Sequence, residues 1–292
     1  MRRTTLFFSY LILIISLFNS CKKHEEVVVD GNTPPPDHTV PQATKDSYVN
    51  RVYISILGRE ADSTELAEAQ VIINKNNFSL GNRQQLLDSV LSRPEYIYRT
   101  YQITRENLIN GTDTSQVTFY IGVYNALLTN VSYQSAWPAI KIEIDRFTAM
   151  KKIPADLISG AITIRGMYKR CIDNGFYDMI NMGTENFVVS VYQNLFFRYP
   201  STTELADAKI MVDGQPSNVL LQSGKNKTDF IDIIFNSTDY YEGTVRALYK
   251  RYLFREPTSL EMAAKTVLYK NSDDYKALQK DILSSNEYAG IK

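Results

Sequence analysis

A fourteen-residue pattern recurs three times in this chain without a gap, at residues 53–66, 192–205 and 249–262. The first copy places Tyr53, Leu57, Arg59, Asp62, Glu65 and Leu66 at offsets that Tyr192, Phe196, Arg198, Ser201, Glu204 and Leu205 repeat, as do Tyr249, Leu253, Arg255, Thr258, Glu261 and Met262. Such repetition limits the fold sharply, because a short unit cannot bury its apolar face alone and must stack on its neighbours.

Within each unit the residues predict helix, turn, helix. An amphipathic helix ends near the arginine, a turn follows with Pro200 and Pro257 at matching places, and a second helix starts at a capping box. The boxes pair Asp62 with Glu65, Ser201 with Glu204 and Thr258 with Glu261. In such a box the cap oxygen accepts a backbone N–H while the glutamate returns to the cap's own N–H. Each unit later closes with another apolar helix and a second box-like spacing: Ser92 to Glu95 before Tyr96, Asn236 to Asp239 before Tyr240, and Ser284 to Glu287 before Tyr288. From arginine to closing tyrosine the separations are 37, 42 and 33 residues, and the variation falls in loop-like stretches at 75–82, 213–227 and 271–274. Packing positions repeat while loops vary. The repeated Arg59, Arg198 and Arg255 are expected to pair with a carboxylate of their own module or to cover helix-end carbonyls; binding an anionic ligand is the alternative.

Leu57-Gly58-Arg59-Glu60-Ala61-Asp62, with the later Ser92-Arg93-Pro94-Glu95-Tyr96, resembles the bacterial domain of unknown function built on a Leu-Gly-Arg-Glu-Pro-Asp turn and a Ser-x-Glu-Tyr/Phe close. That domain occurs in secreted and surface proteins, and the phycobilisome linker domain is similar more distantly. The resemblance covers residues 48–100 and, more loosely, 187–292. It implies helical modules used for assembly or attachment, with no established chemistry. Ala61 stands in place of the pattern's proline, and Phe197 and Phe254 in place of its glycine.

Between the copies, apolar-periodic stretches at 117–128, 139–150 and 155–172 predict further helices, with Pro138 and Pro154 at plausible starts and Asn174-Gly175 at a stop. No alternating strand pattern stands out, so the fold class expected is all-α. The expected organisation is a signal peptide at 1–20, a lipidated cysteine and tether at 21–45, a first repeat at 46–101, an intervening helical region at 102–183, and repeats at 184–243 and 244–292.

The N-terminus carries basic Arg2 and Arg3, an apolar run at 6–18, and Ser20 before Cys21, which is the layout of a secretory signal. A membrane span is the alternative, but the run falls short of the roughly 20 residues a helix needs to cross a bilayer. The tract resembles a lipoprotein signal peptide. That resemblance implies cleavage before Cys21, a diacylglyceryl group on its thiol and acylation of the new amino end. A proline-bearing stretch with Pro34, Pro35, Pro36 and Pro41 then reads as an extended tether. Lys22-Lys23-His24-Glu25-Glu26 is similar to signals that send lipoproteins to the outer face of the outer membrane; a periplasm-facing location stays open.

Composition narrows the chemistry. Of 292 residues, 32 are Lys or Arg and 32 are Asp or Glu, so no charge excess draws the chain to nucleic acid. Its two histidines, His24 and His38, lie in the tether, which removes Ser-His-Asp, Cys-His and histidine-zinc sites from the body. No cofactor or metal site is expected. With Cys21 lipidated, Cys171 has no partner for a disulfide and reads as a buried thiol. A carboxylate-only site would need two acids in one cleft, yet Glu143 and Asp145 face different sides of a helix, and Asp273-Asp274 reads as a loop or helix start. Val219 stands where a phosphate loop before Gly224-Lys225 needs a glycine. Among the 20 tyrosines, Tyr96, Tyr98, Tyr240 and Tyr241 are candidate ligand-contact aromatics, as is Trp137, though core packing is the ordinary use of such residues. Two functions follow: a non-catalytic interaction or scaffold lipoprotein of the outer membrane, partnered by another envelope protein, or a carbohydrate-binding or carboxylate-dependent glycan-processing surface lipoprotein.

Overall fold

A computed structural model describes residues 39–291; the signal peptide, Cys21 and both histidines lie outside them. The first repeat comprises α1 (Gln42–Leu57), α2 (Ser63–Ile73), a 3-10 turn (Lys75–Phe78), α3 (Leu80–Leu91) and α4 (Pro94–Ile109). The intervening region holds α5 (Thr114–Leu127), a second 3-10 turn (Val131–Ala136), α6 (Trp137–Lys151), α7 (Ile153–Ile158), α8 (Ile164–Ile172) and α9 (Gly175–Ile180). The second repeat follows with α10 (Thr184–Phe196), α11 (Thr202–Val212), β1 (Ser217–Val219), β2 (Gln222–Gly224), α12 (Lys227–Asn236) and α13 (Thr238–Leu253). The third runs from α13 through α14 (Ser259–Ser272), α15 (Tyr275–Leu283) and α16 (Asn286–Ala289). The fold class is all-α.

The helices start where the sequence supplies caps. Asp62, Ser201 and Thr258 each accept the N3 backbone N–H of α2, α11 and α14, and the three glutamates accept the cap N–H at 2.9, 2.8 and 2.7 Å. Pro138 and Pro154 sit in the first turns of α6 and α7, where a missing N–H costs nothing.

Several expected boundaries move. Helix α1 begins at Gln42, inside the stretch assigned to the tether, because Lys45 is drawn into the body and its ammonium donates to Asn74 Oδ1 at 3.1 Å. The limits expected at residues 101 and 243 fall inside α4 and α13, so adjoining units share a helix. The stretch 155–172 breaks into α7 and α8, since Gly160 turns left-handed at φ 74° and Thr163 caps a new helix. Helix α8 stops at Ile172, just before Asn174-Gly175, and the Asn174 side chain serves both sides of the stop, donating to the Arg170 and Cys171 carbonyls at 2.8 and 2.9 Å and capping α9. A two-stranded antiparallel hairpin, β1 with β2, occupies the loop expected at 213–227, and it lacks the length to alternate visibly. The second caps are Arg93, Ser237 and Ser285, one residue later than the box-like spacing suggested.

The third repeat packs back onto the first. Tyr48 donates to the carbonyl of Leu283 at 3.1 Å, and Arg83 donates to that of Ser284 at 2.8 Å and to Asn286 Oδ1 at 2.7 Å. Buried Gln279 joins both repeats, accepting from Tyr96 at 2.7 Å and donating to Tyr252 at 2.6 Å. The intervening region joins the same core through Tyr177 against Phe187, and residues 40–292 cluster as one compact unit. Helix α13 crosses α10 at Gly243, where a Cβ would lie 1.9 Å from the Leu195 carbonyl oxygen.

Candidate functional site

The three arginines occupy equivalent clasps built from the turn outward. Each guanidinium lies over the ring of the unit's tyrosine, at 5.9 Å for Arg59 on Tyr53 and 5.1 Å for both Arg198 on Tyr192 and Arg255 on Tyr249. Each then makes a two-pronged bond to the capping-box glutamate six residues on: Arg59 to Glu65 at 2.7 and 2.8 Å, Arg198 to Glu204 at 2.8 and 2.7 Å, Arg255 to Glu261 at 2.8 and 2.7 Å. The same carboxylate therefore caps one helix and holds the arginine that ends another.

A second acid completes each clasp. Glu95 takes the Arg59 Nε and Nη2 donors at 2.7 and 2.9 Å, Glu287 takes those of Arg255 at 2.6 Å each, and Asp239 takes Arg198 Nη2 at 2.7 Å. Because the second caps fall one residue late, these acids sit at N2 of their helices and turn toward the arginine. With the carbonyls of Glu60 and Glu256 also accepting at 3.0 Å, all five donors of Arg59 and of Arg255 are used within the module. Neither has a donor left for an external anion.

The clasps polarise their partners. Hydrogen bonds from the arginines hold the carboxyls of Glu65, Glu204 and Glu261 at about 2, against an ordinary 4.5. A carboxyl depressed on folding contributes stability above its unfolded value and loses it as pH falls toward the folded one. Stability is therefore expected to hold above pH 4.5 and fall between 4.5 and about 2, by on the order of 1–2 kcal/mol per clasp after solvent screening. Acid titration followed by circular dichroism checks this; a flat profile down to pH 3 would contradict it.

The candidate aromatics separate. Tyr96, Tyr240 and Tyr241 are core residues, with Tyr240 packed on Phe235 and Tyr241 on Tyr269, so their assignment as ligand contacts is corrected. These rings take the core placement that is the ordinary use of such residues. Tyr98 is exposed on α4, and Trp137 is half-buried at the start of α6, with its indole N–H on the Leu127 carbonyl at 3.2 Å. Three of the candidate acids are engaged, Glu143 accepting the Gly175 N–H at 2.5 Å, Asp273 accepting from Arg165 at 3.0 Å and Asp274 capping α15, while Asp145 lines a groove between α6 and α8. Cys171 is fully buried, which pushes its thiol up to about 12.

A groove of about 460 Å³ between α6 and α8 is lined by Ile142, Arg146, Lys169, Arg170 and Asp173 among others. Its cations are paired, Arg146 with Asp173 at 2.8 Å, Arg170 with Asp156 at 2.6 Å and Lys169 with Asp232. Among the described residues no group of three or more His, Cys, Asp or Glu is placed to hold a metal ion, and no helix is long and apolar enough to cross a membrane.

Three exposed apolar residues stand out on the surface, Phe197, Phe254 and Leu221, of which the sequence singled out the two phenylalanines and not the leucine. Phe197 and Phe254 follow α10 and α13 in the left-handed conformation, at φ 57° and 56°, where Gly58 stands in the first repeat at φ 79°. Leu220 and Leu221 make the two-residue hairpin turn with φ 48° and 64°, a place that favours Asn-Gly. Phe254 is 89% exposed, Leu221 fully so, and Phe197 about half. Their only sequence signal is a large apolar residue where the repeat or the turn calls for glycine. Comparison with sequence models of protein families, with curated proteins and with solved structures yields no match.

Proposed function

We propose that this chain is a non-catalytic interaction or scaffold module of the bacterial envelope, held on the outer membrane by lipid on Cys21. The observation that carries the reading is Phe254. A left-handed residue other than glycine costs about 1 kcal/mol, and a phenylalanine left in water gains nothing from burial. Strained positions bearing large exposed apolar side chains are kept where an outside surface covers them. Phe197 and Leu221 have the same combination on the second repeat. The partner is an envelope protein offering apolar pockets, and the arginine clasps, that of Arg255 with every donor used, brace the modules that present these side chains. The likeness to the Leu-Gly-Arg-Glu-Pro-Asp domain supports the same use.

Phe254→Gly is expected to keep thermal stability or raise it by up to about 1 kcal/mol, since the strain is relieved and no packing is lost. The same change is expected to abolish recovery of the partner. The test is mass spectrometry of crosslinked complexes from producing cells, comparing the native chain, Phe254→Gly and Cys21→Ala, with the mass of the mature N-terminus read in parallel. A stoichiometric partner lost in both variants supports the reading. Equal recovery with Phe254→Gly overturns the contact, and an unlipidated native N-terminus overturns the anchor.

A further inference from the structure

We infer that the α5–α6 hairpin is a second membrane attachment, dipping its uncharged end into the headgroup region of a phospholipid bilayer. Between Asp113 and Lys141 lie 27 residues with no Asp, Glu, Lys, Arg or His, where the chain's 22% charged content would place about six. This stretch is α5, the 3-10 turn and the first turn of α6. It is held firmly on one side: Val117 is buried, Tyr120 packs edge-on against Phe176 at 5.0 Å, and Tyr124 lies 5.7 Å from Phe147. The other side is bare. Phe119, Gly122, Val123 and Ala126 recur at helical spacing on the exposed face of α5, with Phe119 66% exposed, and Val131 at the turn is 74% exposed.

The choice of a bilayer over a protein rests on charge. Soluble protein faces that meet protein partners carry a polar rim with charges interspersed, whereas a headgroup layer selects apolar and aromatic residues with uncharged polar neighbours and then cations at the phosphates. Here the turn mixes Val131 and Tyr133 with Asn130, Ser132 and Gln134, and the indole of Trp137 follows. The first charge is exposed Lys141, four residues and about 6 Å further along α6, at a depth suited to lipid phosphate. Insertion of this kind reaches roughly 5–10 Å. The inference rests on the membrane address proposed above, since the hairpin meets a bilayer only in an envelope.

Trp137 is the chain's single tryptophan, so it reports on the hairpin alone. The chain from Cys21 onward is coupled through that thiol to a maleimide lipid in phosphatidylcholine–phosphatidylglycerol vesicles; buried Cys171 does not compete. The expected result is a blue shift of Trp137 emission and its quenching by brominated acyl chains, both lost in the Phe119→Asp/Val131→Asp double variant and kept in Val71→Asp, an exposed change elsewhere. Unchanged circular dichroism shows that the variants fold. Absence of quenching in the tethered native chain overturns the inference, as does equal loss in Val71→Asp, and a blue shift that follows protein concentration without lipid assigns the face to a second copy instead. Chemical tethering replaces the natural lipid, so a failure here is distinct from a failure of Cys21 lipidation.

Discussion

Gly243→Ala is expected to be the most damaging single-atom change in the body, lowering stability by about 3 kcal/mol and the unfolding midpoint by roughly 10 °C. The added Cβ would lie 1.9 Å from the Leu195 carbonyl oxygen and 3.0 Å from the Phe196 Cα, so backbone meets backbone and no side chain can give way. Alanine gains about 1 kcal/mol of helix propensity, well short of the cost of moving α13 off α10. The shift also carries into the third repeat, because α13 belongs to both. Thermal unfolding of the purified variant checks this; a midpoint within 2–3 °C of the parent would mean the helices cross less closely.

Glu65→Ala is expected to cost about 2–3 kcal/mol, more than the same change at Glu261. Glu65 accepts from Arg59, from Arg93 and from the Asp62 N–H, and its side chain is only 10% exposed, whereas Glu261 has no second arginine and is 30% exposed. Its removal takes a carboxylate from two guanidiniums, leaving Arg59 with Glu95 and Arg93 with the Tyr53 hydroxyl at 3.1 Å. Exposure of Arg59 at 39% keeps the figure below that of a fully buried pair. Urea unfolding of the two variants side by side measures the difference; equal losses would show that Arg93 adds nothing.

What the sequence made legible was local. Capping boxes act over three residues, so their spacing could be read directly and all three units form them, whereas the arginines could be assigned only to some carboxylate of their module or to helix-end carbonyls. The second acid of each clasp was visible as a residue but not as a partner: Glu95 lies 36 positions from Arg59, and no periodicity encodes that distance. A one-residue slip of the second cap decided which way the acid turned. The buried tyrosines illustrate the same limit, since Tyr96 meets Gln279 across 183 positions. Gly243 was invisible for a related reason, as only the crossing of α13 on α10 makes a side chain intolerable there. Phe197 and Phe254 could be seen to replace glycine, but the left-handed backbone that makes the replacement costly belongs to the structure.

The most direct measurement is site-specific photo-crosslinking from position 254 in producing cells, with position 71, also exposed, as the control. A scaffold that presents Phe254 to an apolar pocket gives one protein adduct of defined mass at 254 and none at 71. No adduct at 254, or the same smear at both positions, would contradict a partner-facing role for the repeat turns.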